Sequence, residues 1–264
     1  MKIPLVIRAR KWSAAVLAVL FFAADRSPAQ FLEVSVRVES VLWPSIPSLP
    51  QIEHRHTNNV RCVFGTNLWL IEGQFLLNAK ETFWCTGTNI IKHTVITREH
   101  SEPAAAMLPM VRPLHVGEQF TSLIRPSERQ PLEGIAHLAW LAFCSGPFLK
   151  SEGHRLTAPF PPENRKRYTD KTRLLAGPPD LPEQVEFYKT EGGSLLCAYY
   201  VLQSTNFYGW TVPVRFECEQ YRDYGPDPGR LSRRVTATVT SIRQAPEPVL
   251  PAEVVRDLAQ KNFD

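Results

Sequence analysis

Apolar and polar residues alternate along much of this chain. Between Phe31 and Leu42, Leu32, Val34, Val36 and Val38 take turns with Glu33, Ser35, Arg37 and Glu39. A period of two predicts a half-buried strand with one wet face. Pro44, Pro47 and Pro50 end it. Four short runs follow: Val60–Phe64, Leu68–Gly73, Glu81–Thr86 and Ile90–Thr97. Gly65-Thr66-Asn67 divides the first two and Gly87-Thr88-Asn89 the last two. Glycine adopts positive φ freely and asparagine tolerates it, so each triplet can reverse a hairpin. The block predicts a four-strand antiparallel meander.

The second half repeats the style. Val185–Thr190, Ser194–Gln203, Thr211–Tyr221 and Leu231–Arg243 predict strands, the last with dense β-branched residues. A turn over Ser204–Gly209 sets Cys197 across from Cys218, Tyr199 across from Phe216 and Val201 across from Val214. Pro213 then fits only at a bulge or an edge.

One segment breaks the alternation. Leu132–Cys144 (LEGIAHLAWLAFC) places Ile135, Leu138, Leu141 and Ala142 at helical spacing, and Trp140 and Phe143 widen the apolar arc. Ser145-Gly146-Pro147 stops it. A helix this apolar in a soluble protein belongs inside, against the concave face of a sheet. The flanking stretches, 101–134 and 154–182, are proline-rich and predict long loops. Pro251–Phe263 predicts a short terminal helix with proline in its first turn. The fold class expected is α+β: a curved antiparallel sheet with one buried apolar helix and long Pro-rich loops.

The N-terminus sets the compartment. Lys2, Arg8, Arg10 and Lys11 precede an uncharged run, Trp12–Ala24, and Ser27-Pro28-Ala29 offers a small-x-small cleavage site. That is the layout of a secretory signal peptide, with an apolar run too short to span a bilayer. The expected organisation is a signal peptide over 1–29, one β-rich domain over 30–250 and a short helix or tail over 251–264. The expected location is periplasmic or secreted, with no integral membrane segment after cleavage. Cleavage also changes the charge. Removing five basic and one acidic residue from 30 and 26 leaves 25 of each. The basic excess that would invite a nucleic-acid partner therefore belongs to the leader.

Candidate chemistry is sparse. The five cysteines, Cys62, Cys85, Cys144, Cys197 and Cys218, include no C-x-x-C pair, which argues against a redox motif or zinc knuckle. For Cys197 and Cys218 a disulfide and two buried free thiols remain equal alternatives. His54 and His56 share a strand face beside Glu53, but no third ligand joins them, so a solvated loop is favoured over a metal site. His137 and Cys144 are about 10 Å apart along a helix, too far for a nucleophile–base pair. Arg165, Lys166 and Arg167 form a candidate anion patch, with a solvated charged loop as the favoured reading. There is no G-x-S-x-G elbow, and nothing calls for a cofactor or metal.

The hairpins around Gly65-Thr66-Asn67 and Gly87-Thr88-Asn89, Trp69 in an outgoing strand and the apolar helix Ile135–Phe143 together resemble the periplasmic lipoprotein-carrier (LolA/LolB-like) proteins. The resemblance covers about half of the mature chain and implies an open half-barrel with helices on its concave face. The Pro-rich stretches depart from that pattern. The function expected is an exported, non-enzymatic binding or carrier-like protein. Its ligand would lie against Trp69, Trp84, Tyr199 and Phe216, and would be an apolar molecule such as an acyl chain, or a lipoprotein or other envelope partner. The alternatives are a secreted hydrolase with a loop-borne site and an envelope assembly component.

Overall fold

A computed structural model describes residues 31–43, 53–65, 67–76, 78–85, 89–98, 115–124, 132, 134–149, 156, 158–160, 168–190, 192–222 and 228–261. The signal-peptide pattern lies outside them. Eleven strands form one antiparallel sheet: β1 (Leu32–Leu42), β2 (His54–Phe64), β3 (Trp69–Leu76), β4 (Ala79–Cys85), β5 (Ile90–Ile96), β6 (Gln119–Ile124), β7 (Tyr168–Leu174), β8 (Pro182–Lys189), β9 (Leu195–Phe207), β10 (Trp210–Tyr221) and β11 (Leu231–Gln244). Among the described residues three helices accompany it: α1 (Gly134–Phe143), α2 (Gly146–Leu149) and α3 (Ala252–Lys261).

The spatial order is β6-β5-β4-β3-β2-β1-β11-β10-β9-β8-β7. Two meanders thus meet at the centre, where β1 pairs with β11, and the sheet stays open at β6 and β7. This is the expected curved α+β fold, an open half-barrel. Curvature is evident from the aromatic rings. Phe64 on β2 and Trp210 on β10 are three strand steps apart, roughly 14 Å on a flat sheet. Their ring centroids are 5.6 Å apart, so the sheet curls until its two halves touch. Register shifts at Ser35/Val36, Gly73/Leu76 and Pro213/Arg215 supply the local bends that such curling needs.

The two faces follow strand parity. Leu32, Val34, Val36 and Val38 join Cys62, Phe64, Trp69, Phe216 and Val235 in the main core on the concave side. Phe31, Val63, Leu70, Trp84 and Ile91 form a second cluster on the outer face, closed by Val254 of α3. Also on that face is Glu33, whose side chain is 8 % exposed and which receives Arg61 Nη2 at 2.9 Å and Arg243 Nε at 2.9 Å. This knot ties β2, β1 and β11 together. Burial raises the pKa of the Glu33 carboxyl, but the hydrogen bonds and charges of both arginines outweigh it and hold the pKa below the ordinary 4.5.

Helix α1 lies in the crossover between the two edges and packs against β2, β3 and β10. Its eight residues Ala136–Phe143 are all buried. At its N-terminal end the Gly134 N–H donates to the Pro159 carbonyl at 2.7 Å. At its C-terminal end Ser145 Oγ donates to the Leu141 carbonyl at 2.7 Å. The next residue, Gly146, has to be glycine, because a Cβ there would lie 2.1 Å from the Pro179 carbonyl oxygen.

Strands β6 and β7 fall in stretches expected to be loop. Each pairs on one side only, β6 with β5 and β7 with β8. The β9–β10 register also differs from expectation by two residues. Tyr208 and Gly209, at φ 50° and 82°, make a tight two-residue turn. Tyr199 therefore faces Cys218, and Val201 faces Phe216. A shift of two preserves every side chain's face. Pro213 sits at a bulge.

Replacing Glu33 by Gln should cost about 1–3 kcal/mol, the range for a lost charged hydrogen-bond pair. The Glu33 pKa is depressed in the folded state, so its contribution is present above the unfolded value of 4.5 and lost as pH falls below it. Urea unfolding at pH 7 and pH 3 should show a wild-type advantage over Glu33→Gln that shrinks at the lower pH.

Candidate functional site

Among the described residues the concave face gathers many aromatic rings. Phe143 of α1 stacks on Phe64 with centroids 5.6 Å apart and meets Phe216 edge-on, also at 5.6 Å. Tyr199 lies 5.9 Å from Phe216. Trp140 of α1 packs against His137 and Phe148. Leu156, Ala158 and Phe160 from the segment after α2 extend the same cluster. Edge-to-face and offset stacking contribute about 0.5–1.5 kcal/mol per pair beyond area burial. One polar pair borders the apolar surface: Lys92 Nζ sits 2.5 Å from Glu81 Oε1 and 5.5 Å over the Phe83 ring.

Of the residues expected to line a ligand, Trp69, Tyr199 and Phe216 share this cluster. Trp84 does not. It pairs with Leu70 across β3–β4, which puts it on the outer face beside Val254 and 6.3 Å from the His93 ring. Strand parity excludes the expected grouping, because Trp84 is one residue from Phe83, whose ring faces the core. Arg165, Lys166 and Arg167 lie outside the described residues. His54 and His56 lie on β2, exposed, rather than in a loop.

Cys197 and Cys218 are free thiols with Sγ atoms 3.5 Å apart. They sit diagonally, because Cys197 faces Gln220 and Cys218 faces Tyr199. The hydrogen bond to Cys197 and burial both push the Cys218 thiol well up. Burial does the same to Cys144. Thiols held in their neutral form are poor nucleophiles. Among the described residues no group of three or more His, Cys, Asp or Glu could hold a metal, and no helix is long and apolar enough to cross a membrane.

Two polar atoms on the concave face stand apart. Tyr199 is fully buried, and its hydroxyl has no hydrogen-bond partner. Arg233 on β11 is half-buried, and its Nε is buried without a partner. The guanidinium lies 4.5 Å over the Phe160 ring. Neither Arg233 nor Phe160 was among the expected site residues. The sequence carries a signal for Arg233 all the same: it shares the parity of Val235 and Ala237, the apolar face of its strand.

No protein-family profile matches the chain, and no curated protein matches it. Among solved structures it is similar to a LolA superfamily protein from Nitrosomonas europaea, at 13% identity and a TM-score of 0.39, over 87% of this chain and 91% of that one. It is also similar to a DUF1329 family protein from Desulfovibrio piger, at 10% identity and a TM-score of 0.42, over 87% and 90%.

The burial of the thiol pair has a measurable consequence. Iodoacetamide at pH 8 should leave Cys197 and Cys218 unmodified in the reduced native protein and alkylate both after denaturation, as read by peptide mass spectrometry. Rapid native alkylation at either would contradict this packing.

Proposed function

We propose that the protein is an exported, non-enzymatic binding protein whose concave face takes up the apolar part of a ligand in exchange for contacts now made by α1. An acyl chain, or the lipid-bearing segment of an envelope partner, has the matching chemistry. The observation that carries this reading is the nature of the filler. Helix α1 has no acidic residue in its first turn and no basic residue in its last. An isolated helix of ten residues is marginal in water, so α1 owes its order to burial. Apolar contacts are non-directional, and a chain of methylenes can replace them against the same stiff aromatic wall.

The wall itself supports the reading. Phe64, Trp210, Phe216 and Tyr199 come from three strands and offer large apolar area with few polar groups, which is how ligand pockets are lined. The N-terminal leader pattern supports export.

Two measurements test the proposal. Trp140 and Trp210 both belong to the concave cluster, so titration with a long-chain amphiphile should shift tryptophan emission, and Trp140→Phe should reduce the change. A spectrum unchanged up to the solubility limit of the amphiphile would overturn it. Protein recovered from the envelope fraction of a producing cell should begin at Gln30; uncleaved cytoplasmic material would remove the export part.

A further inference from the structure

Resting on that reading, we propose that Arg233 is the anion-binding end of the concave face, and that the ligand is a single-chain amphiphile with an acidic head. The argument begins with parity. On β11, Arg234 points outward and meets Glu219, with Nη2 and Nε at 2.6 and 2.9 Å from the same carboxylate oxygen. Arg233 points the other way, on the side of Val235 and Ala237. It lies opposite Leu42 on β1 and Gln220 on β10. No carboxylate among the described residues pairs with it. Its flat cation instead lies on Phe160, with the Nε buried and unbonded.

A guanidinium stays charged at any ordinary pH. Withdrawing it from water without a counter-charge is costly, and a cation–π contact offsets only part of that. Burial lowers the pKa of Arg233, with a smaller opposing effect from Cys218.

A second unbonded donor, the Tyr199 hydroxyl, lies on the same face. Cys218 faces Tyr199 on one side and Val235 on the other. The Tyr199 hydroxyl and the Arg233 fork therefore flank one strand from the same face. Both are donors, and the residues between them are apolar or weakly polar. A carboxylate or phosphate accepts from donors of this kind, and its geometry suits the guanidinium fork. A small hydrated anion would lose its water there with no apolar gain. An acidic head carrying a hydrocarbon chain gains on both counts, because the chain continues over Phe216 and Phe64 toward the site of α1.

The test uses the full protein and three probes: oleate, oleyl alcohol with the same chain and no charge, and acetate with the charge and no chain. Affinities are measured by calorimetry and tryptophan emission below the micelle concentration. Oleate should bind at least ten-fold tighter than oleyl alcohol, and acetate should not bind at millimolar concentration. Arg233→Gln should bring the oleate to oleyl alcohol ratio close to one while leaving oleyl alcohol binding intact, and Arg233→Lys should fall between. A lost fold in Arg233→Gln would itself be visible in the thermal melt, and the wild-type comparison decides the matter without it. Equal affinity of the wild-type protein for oleate and oleyl alcohol overturns the acidic-head assignment and leaves the apolar site standing. Acetate binding as tightly as oleate overturns it too, in favour of a free-anion site. Failure of both long-chain probes to bind overturns the apolar site and this inference together.

Discussion

The connection between the two edge strands has to cross the concave side of the sheet, and much else in this molecule follows from that. β6 and β7 end the sheet at opposite extremes, yet they are consecutive strands in the chain. Any chain joining them must pass over one face. A polar crossover would leave the aromatic inner wall wet. The apolar segment at Gly134–Phe143 instead meets Phe64 from one meander and Phe216 from the other with a single ring, Phe143. The helix thus sets how tightly the sheet curls, and the curl creates the interior. Interiors are packed near crystal density, so the ends of the helix are fixed as closely as its middle, by Pro159 on one side and by the close approach of Gly146 to Pro179 on the other.

The division between faces was legible wherever parity was clean. β1 alternates without interruption, and its burial follows the pattern from Val34 to Glu39, with Glu33 the buried exception. The apolar helix was legible for the opposite reason, since no strand period fits LEGIAHLAWLAFC. The edge strands were not. β6 buries only Thr121 fully, and β7 has mostly exposed side chains. A strand held by hydrogen bonds to a single neighbour leaves no hydrophobic stripe to find. The tryptophans show the same limit. Phe83 and Trp84 are adjacent and both apolar, so composition alone cannot say which one faces in. Only the pairing of Leu70 with Trp84 decides it. In the β9–β10 hairpin, the expected turn was offset by one residue from Tyr208-Gly209, and the ladder slid by two.

Polarity is distributed unequally between the faces. Outside, charges are matched: Glu33 holds two arginines and Glu219 holds Arg234. Inside, Lys92 has Glu81, whereas Arg233 and Tyr199 retain unbonded donors. Buried polar groups in folded proteins are nearly always satisfied. Two such donors on one face, flanking one strand, concentrate unmet polarity on the concave side.

The pairing of the first strand with the last also governs how this protein can come into being. Glu33 and Arg243 are 210 residues apart, and the central ladder joins Leu32 to Gln244. A growing chain can form each meander from local hairpins, but the seam between them must wait for nearly the whole polypeptide. Long-range pairing of this kind slows folding and prolongs exposure of unpaired edges. During synthesis, β1 therefore has no partner on one side until β11 has been made, and that edge stays open for most of the interval.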